Sequence, residues 1–554
     1  MQTKATDTNA DFDQLVNNYY NAWFRFHPLT AVDCGVDQFA GDLAPISNSQ
    51  MGALLTLHED LLSSLEEIDY PSLDDDHQLD FDLLIGQVYL ERQQMLQFDW
   101  RFRDPGCYLP LKAINQLLQR PVTGFAHALS SRLKAIPDHL WQAQQFISQK
   151  PDGIPASWLE QAITSARTGD RFFQSLDQHP KIIDAISTGP DLLREIDSAR
   201  KSLQRFAKFL EFEVSSLAQG DAACGQHRFN KLLQLKHGLD INYQQLYTFG
   251  QNLSEQTYSE LKVLCQELAG HQDIAQLTAQ IAVDHPNSDA LISTYTEEMQ
   301  FAKEFVETND LITMPFAENL DVVETPVFQR HQIPFAAYMP PMHGDPQQQG
   351  YYYVTPIADN MALTEHNFLS IKHICVHEAY PGHHLQFASA NINPVSSSWP
   401  RLLNTSATMY EGWALYCEQL MVEQGYLDQP LNRFILLKDR LWRALRVLID
   451  VDLHVNQLDE EQAARKLCDR LGFTKDQATA DISWYTHAPT VPMSYALGWA
   501  MINTLRDQQM TNDSFKLKAF HDKLMASGSI SLAWVIKRQF GIQAMNNVVR
   551  TITA

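Results

Sequence analysis

Residues 74–100 read DDDHQLDFDLLIGQVYLERQQMLQFDW. An acidic start leads into Leu79, Phe81, Leu83, Leu84, Val88, Leu90 and Leu96, a broad apolar stripe at helical spacing, so a helix is expected over Asp74–Trp100. The pattern recurs in both directions. Asp13–His27 carries an apolar face that Pro28 ends. Helical periodicity then runs through residues 124–148, 157–187, 191–219 and 240–269, and returns at 363–388, 400–424, 430–457, 474–484, 492–508 and 513–527. Between them, residues 310–360 differ: LITMPFAENLDVVETPVFQ, IPFAAYMPP and QGYYYVTPI are short apolar and aromatic runs split by Pro and Gly, which is strand chemistry. The expected fold is mainly α, a large helical protein around a cleft with a small β ribbon near the active site. KHGLD at 236–240 suggests a division into an N-terminal helical lobe, 1–237, and a catalytic lobe, 238–554.

Composition narrows the function. The chain has 554 residues, with 42 Lys plus Arg against 66 Asp plus Glu and a net charge of −24. A surface this acidic argues against nucleic acid or anionic membrane as partner. No stretch approaches the roughly 18 apolar residues of a membrane span. The seven cysteines are scattered and never form a CxxC pair, which disfavours a disulfide framework or a thiolate metal site. Residues 1–12 lack the apolar core of a secretory signal, so the chain as written is expected in the cytoplasm; a leader trimmed from its start would direct it to the periplasm instead.

Chemistry concentrates in HICVHEAYPGHHLQ, residues 373–386, which holds four of the 20 histidines. His377–Glu378 opens like the HExxH signature, whose two His sit at i and i+4 and whose Glu is the general base. Here i+4 is Pro381, and the next imidazoles are His383 and His384. In a regular helix i+6 lies about 240° round, and i+7 lies about 10.5 Å along the axis. Pro381–Gly382 is a dipeptide that breaks or bulges a helix, and a bulge absorbing two residues would return His383 to the usual i+4 position. His373 and His377, a true i, i+4 pair, are an alternative chelate. A third ligand is expected from YEGWALYCE, 410–418, where Glu411 and Glu418 lie one heptad apart. Glu411 is the candidate ligand, and Glu418 is a candidate to orient a ligating His from behind.

HEAYPGHHLQ, YEGWALYCE and PTVPMSYALG together resemble the large bacterial family known as domain of unknown function 885. The front segment YYNAWFRFHPLTAVDCGVDQFAGDL, the AAYMPP and GYYYV ribbon and RVLIDVDLH are also similar to it, so the resemblance spans nearly the whole chain. It implies a mostly helical, gluzincin-like zinc peptidase with His377, His383 and Glu411 as ligands of one Zn2+ per chain and Glu378 as base. Two positions depart from its pattern, Val491 and Thr355.

The expected activity is metal-assisted hydrolysis of short peptides. Tyr495 is the leading donor to the oxyanion, with His487 and His454 as alternatives. Arg440, Arg443 and Arg446 follow at i, i+3 and i+6; Arg443 or Arg446 would hold a substrate carboxylate, unless these are helix-surface charges paired with Asp439 or Asp450. His384, and Tyr352 of the ribbon, are further candidates for contact with substrate or ligands. Competing expectations are a metal-dependent hydrolase of another amide or ester, and a non-catalytic protein that binds metal or peptide.

Overall fold

The computed structural model describes residues 2–186, 191–330, 333, 335–356, 366–393 and 397–554, with side chains from Thr8 onward. The chain is mainly α-helical, with one small three-stranded sheet. It forms two compact units: Met1–Asp221 with Pro326–Gln332 and Met342–Gly344, and Ala222–Thr325 with Ile333–Pro341 and Asp345–Ala554. Position 237/238 falls inside the second unit.

In the first unit, α1 (Asp75–Gln97) begins where the Asp74 carboxylate accepts the backbone N–H of Asp76 and His77, satisfying donors that the first helical turn leaves free. Helices α2 (Phe125–Ile147) and α3 (Leu192–Phe209) share a core with Leu129, Leu133, Ile136, Leu203 and Phe206 at its centre.

In the second unit, α4 (Tyr243–Ala269) opens on a reciprocal cap between Asn242 and Gln245. Helix α5 (Leu291–Thr308) precedes the sheet. Strand β1 (Asn319–Glu324) runs parallel to β3 (Gln349–Val354), and β2 (Ala336–Met339) pairs antiparallel on the other side of β3, with Tyr338 opposite Tyr352. The strands thus fall in the expected ribbon; residues 331, 332, 334 and 357–360 of that region lie outside the described residues. Next come α6 (Phe368–Glu378), α7 (His383–Ile392), α8 (Ala407–Glu423), α9 (Pro430–His454), α10 (Lys475–His487) and α11 (Ser494–Met510). Helix α9 lies along α4, close enough that a Cβ on Gly250 would come within 2.8 Å of Val447. Gly412 of α8 and Gly498 of α11 play the same part at a second contact: a Cβ on Gly412 would meet Gly498 Cα at 2.5 Å. Glycine here permits backbone-to-backbone approach that any side chain would block.

All seven cysteines are free. Among the described residues no helix is long and apolar enough to cross a membrane.

Candidate metal centre

The motif helix does not bulge; it breaks. Instead of one helix over 363–388, α6 ends at Glu378 and α7 begins at His383, with Ala379–Gly382 between them. Residues 363–365 of the expected helix lie outside the described residues. Pro381 has no N–H with which to continue α6. The Gly382 N–H donates to Val376 O at 3.0 Å, folding the chain back onto the end of α6. A Cβ on Gly382 would lie 1.9 Å from His377 O and 2.3 Å from Val376 O, so no side chain fits there. The Tyr380–Pro381 peptide is cis. Trp413 Nε1 of α8 donates to Pro381 O at 2.8 Å and ties the break to the helix that carries Glu411.

The break brings three side chains together. His377 Nε2 lies 3.4 Å and His383 Nε2 3.2 Å from Glu411 Oε2. One ligand atom from each of the three residues lies within 4.8 Å of the other two, and among the described residues no other set of three His, Cys, Asp or Glu does this. The two imidazoles are perpendicular, with centroids 4.8 Å apart. All three side chains are buried, and Glu411 Oε2 has no hydrogen-bond partner. A buried carboxylate oxygen that faces two ring nitrogens at 3.2 and 3.4 Å without a well-aligned hydrogen bond to either favours a cation between them. Two imidazoles and one carboxylate are also a donor set that catalytic zinc uses. These residues therefore fit a metal ion.

Charge points the same way. Burial lowers the His377 pKa, but the Glu411 and Glu418 carboxylates outweigh it and lift it to about 10. Burial raises Glu411, but His383 and His377 hold it well below the carboxylate range. The pocket thus favours a positive charge at the point where the three groups meet. Behind His377, its Nδ1–H donates to Glu418 Oε1 at 2.7 Å, which leaves Nε2 directed at Glu411. Burial raises the Glu378 carboxyl, which the imidazoles of His383 and His377 only partly offset. Tyr495 lies nearly parallel to His377, 6.3 Å between centroids, and burial beside Glu411 pushes its phenol well up.

Of the other sequence candidates, His384, Tyr352, His454 and His487 are engaged elsewhere, whereas Arg443 and Arg446 stand beside Tyr495. His384 turns away from the three-residue group: its Nε2 lies 2.8 Å from Glu318 Oε2 and its Nδ1 3.0 Å from the Tyr338 hydroxyl. Glu318 also accepts from Tyr380 and Lys303. Tyr352 is buried under α6, its hydroxyl 3.9 Å from Cys375 Sγ. His454 Nε2 pairs with Tyr485 O at 3.1 Å, and His487 Nδ1 with Ser483 O at 3.0 Å. Arg443 and Arg446 are buried rather than helix-surface charges. Arg446 donates to the Tyr485 hydroxyl at 2.8 Å and lies over the rings of Trp442 and Tyr495, whereas Arg443 Nη1 pairs with Asp439 at 3.3 Å and its Nε has no hydrogen-bond partner. Sequence reading missed Glu318 and Lys303, which sit in ordinary surroundings far upstream of His384. Tyr338 and Tyr380 stood inside quoted motifs but carried no spacing signal.

Residues 28–538 match the family described as "Bacterial protein of unknown function (DUF885)", and the chain belongs to that family. No curated protein matches it. A candidate lipoprotein of unknown function from Shewanella oneidensis is similar at 21% identity and a TM-score of 0.75, over 98% of this chain and 100% of that one. A candidate lipoprotein from Colwellia psychrerythraea aligns at 18% identity and a TM-score of 0.78, over 98% and 99%. These likenesses establish the fold. A candidate oligoendopeptidase F from Bacillus anthracis str. Ames aligns over 92% of this chain and 96% of that one, but at 11% identity and a TM-score of 0.30 it carries no weight.

Proposed function

We propose that this member of the family hydrolyses short peptides, with one zinc ion per chain held by His377, His383 and Glu411. The convergence of ligand atoms from three buried side chains, next in sequence to Glu378, whose carboxyl feels the His383 and His377 imidazoles, carries the reading. Zinc in such a site supplies Lewis-acid polarisation of the scissile carbonyl and acidifies a water molecule.

The chain's own groups do the rest. Glu378, its pKa raised by burial, takes the proton from the attacking water and passes it to the leaving amine. The Tyr495 phenol, neutral because burial pushes its pKa up, donates to the developing oxyanion. Glu418 holds the His377 tautomer. Strand β2 pairs with β3, and its Tyr338 stacks over His383 with centroids 6.1 Å apart, so the ribbon stands beside the proposed ligand. Arg443, a buried cation whose charge acts on Glu378 and Tyr495 and whose Nε has no hydrogen-bond partner, is the group we assign to a substrate carboxylate.

The test is a library of short peptides, with free and amidated C-termini, digested by zinc-loaded wild type and by Glu378→Gln. Cleavage by wild type, falling about 100- to 10,000-fold in the variant with its zinc retained, is the expected result. Turnover of acyl amides or esters but of no peptide would move the activity to another substrate class. No turnover at all would leave a binding protein.

A further inference from the structure

His237 is fully buried and its two ring nitrogens are both bonded, across long stretches of sequence. Its Nδ1 lies 2.9 Å from Ser406 Oγ, and its Nε2 2.9 Å from Thr490 Oγ1. Ser406 is the N-cap of α8, its hydroxyl receiving the Thr408 N–H, and Glu411 stands one turn further along that helix. Thr490 belongs to the turn between α10 and α11, five residues before Tyr495. Burial keeps the imidazole neutral, so one ring nitrogen donates and the other accepts. Either hydroxyl can match either role.

Thr490 is the strained member. It has φ +67°, a conformation rare for a β-branched residue. All its polar groups are engaged: the N–H donates to Asp450 Oδ1 at 3.2 Å, the carbonyl accepts from Ser494 Oγ at 2.7 Å, and the hydroxyl meets His237. The other oxygen of Asp450 receives the Met493 N–H at 3.1 Å, two residues before Tyr495. Thr490, Asp450 and Ser406 are all completely buried. A strained conformation persists only where its surroundings over-determine it, and here they do so between the two elements that carry Glu411 and Tyr495.

We propose that His237 is a positioning residue, a strut joining the start of α8 to the 490–493 turn and so fixing the spacing between Glu411 and Tyr495. The inference rests on the reading of Glu411 as ligand and Tyr495 as oxyanion donor. Misplacing a catalytic donor by about 1 Å costs up to about a hundredfold in rate, whereas substrate affinity depends on other contacts.

The test uses the full chain with Thr490→Val, which deletes the hydroxyl and keeps the shape, Thr490→Ser, which restores it, and His237→Phe. The strut predicts that Thr490→Val lowers kcat by about tenfold or more with KM within about twofold, and that Thr490→Ser recovers the rate. Hydrogen exchange by mass spectrometry reads the same strut without turnover: in Thr490→Val and His237→Phe, residues 404–411 and 488–496 should both exchange faster. Wild-type kcat in Thr490→Val, equal losses in the Val and Ser variants, or faster exchange confined to one segment would each overturn the proposal. If wild type cleaves no peptide, the functional reading fails separately, and exchange in both segments still decides whether the strut exists.

Discussion

Gly382→Ala puts the geometry of the helix break directly at risk. The added methyl would sit 1.9 Å from His377 O, 2.3 Å from Val376 O and 2.5 Å from His377 C, all of them backbone atoms that cannot swing aside. Restoring an ordinary carbon–oxygen contact requires the chain to move by more than about 1 Å. Gly382 is the cap of α7, so the shift passes straight to His383, the next residue. Metal–ligand distances tolerate only about 0.2 Å. One ligand should therefore be lost or badly placed, and zinc affinity should fall by at least about tenfold. The overpacked backbone should also cost about 1–3 kcal/mol of stability. Zinc affinity is measured by competition with a chromophoric chelator, and folding by circular dichroism. Gly52→Ala is the control, since a Cβ there meets nothing within 4 Å. A Gly382→Ala protein that binds zinc as wild type does would refute the claim that this close approach sets His383.

Three further outcomes follow from the same geometry. Glu418→Ala removes the acceptor for His377 Nδ1–H and should weaken zinc binding about 10- to 100-fold, while Glu418→Gln, which can still accept, should lose less; equal affinities in all three proteins would remove Glu418 from the site. Tyr495→Phe should lower kcat by about 100-fold or more with zinc content unchanged, and a rate within about threefold of wild type would exclude the phenol from the reaction. Glu318 links acid to stability. Burial raises its pKa, but hydrogen bonds from His384, Lys303 and Tyr380 outweigh it and hold the carboxyl at about 2, below its ordinary 4.5. A depressed folded pKa gives stability that is present above about pH 4.5 and is lost as pH falls towards 2, at most about 3 kcal/mol before solvent screening reduces it. The gap in urea midpoint between wild type and Glu318→Gln should thus be widest near pH 6 and narrow towards pH 3; a gap that widens on acidification would contradict this.

Much of the helical fold was legible because periodicity and caps are local. The stripe of 74–100 became Asp75–Gln97, and the pattern over 240–269 became Tyr243–Ala269, bounded by Asn242 and by Gly270 at φ +74°. The motif region was legible in part. PGHH announced an interruption and spacing favoured His383 over His384, but a bulge and a break leave the same residues in the sequence, so the form of the interruption was not legible. What separates the two histidines is long-range: Glu411 lies 28 residues after His383, and Glu318 lies 66 residues before His384. No local pattern encodes either pairing. The same holds for His237, whose partners are 169 and 253 residues away. The arginines of α9 show the converse. Their i, i+3, i+6 spacing resembled an exposed face, yet Arg443 and Arg446 are buried, because Trp442, Trp484 and Tyr495 stack against the Arg446 guanidinium.

The central claim is that His377, His383 and Glu411 hold one metal ion. Elemental mass spectrometry on untagged full-length protein, after zinc is added back and the excess removed, tests it most directly. The account predicts near one zinc per chain in wild type and in His384→Ala, and loss of that zinc in His377→Ala, His383→Ala and Glu411→Ala. Wild type without metal, or zinc that leaves with His384 and stays when His383 is replaced, would contradict it.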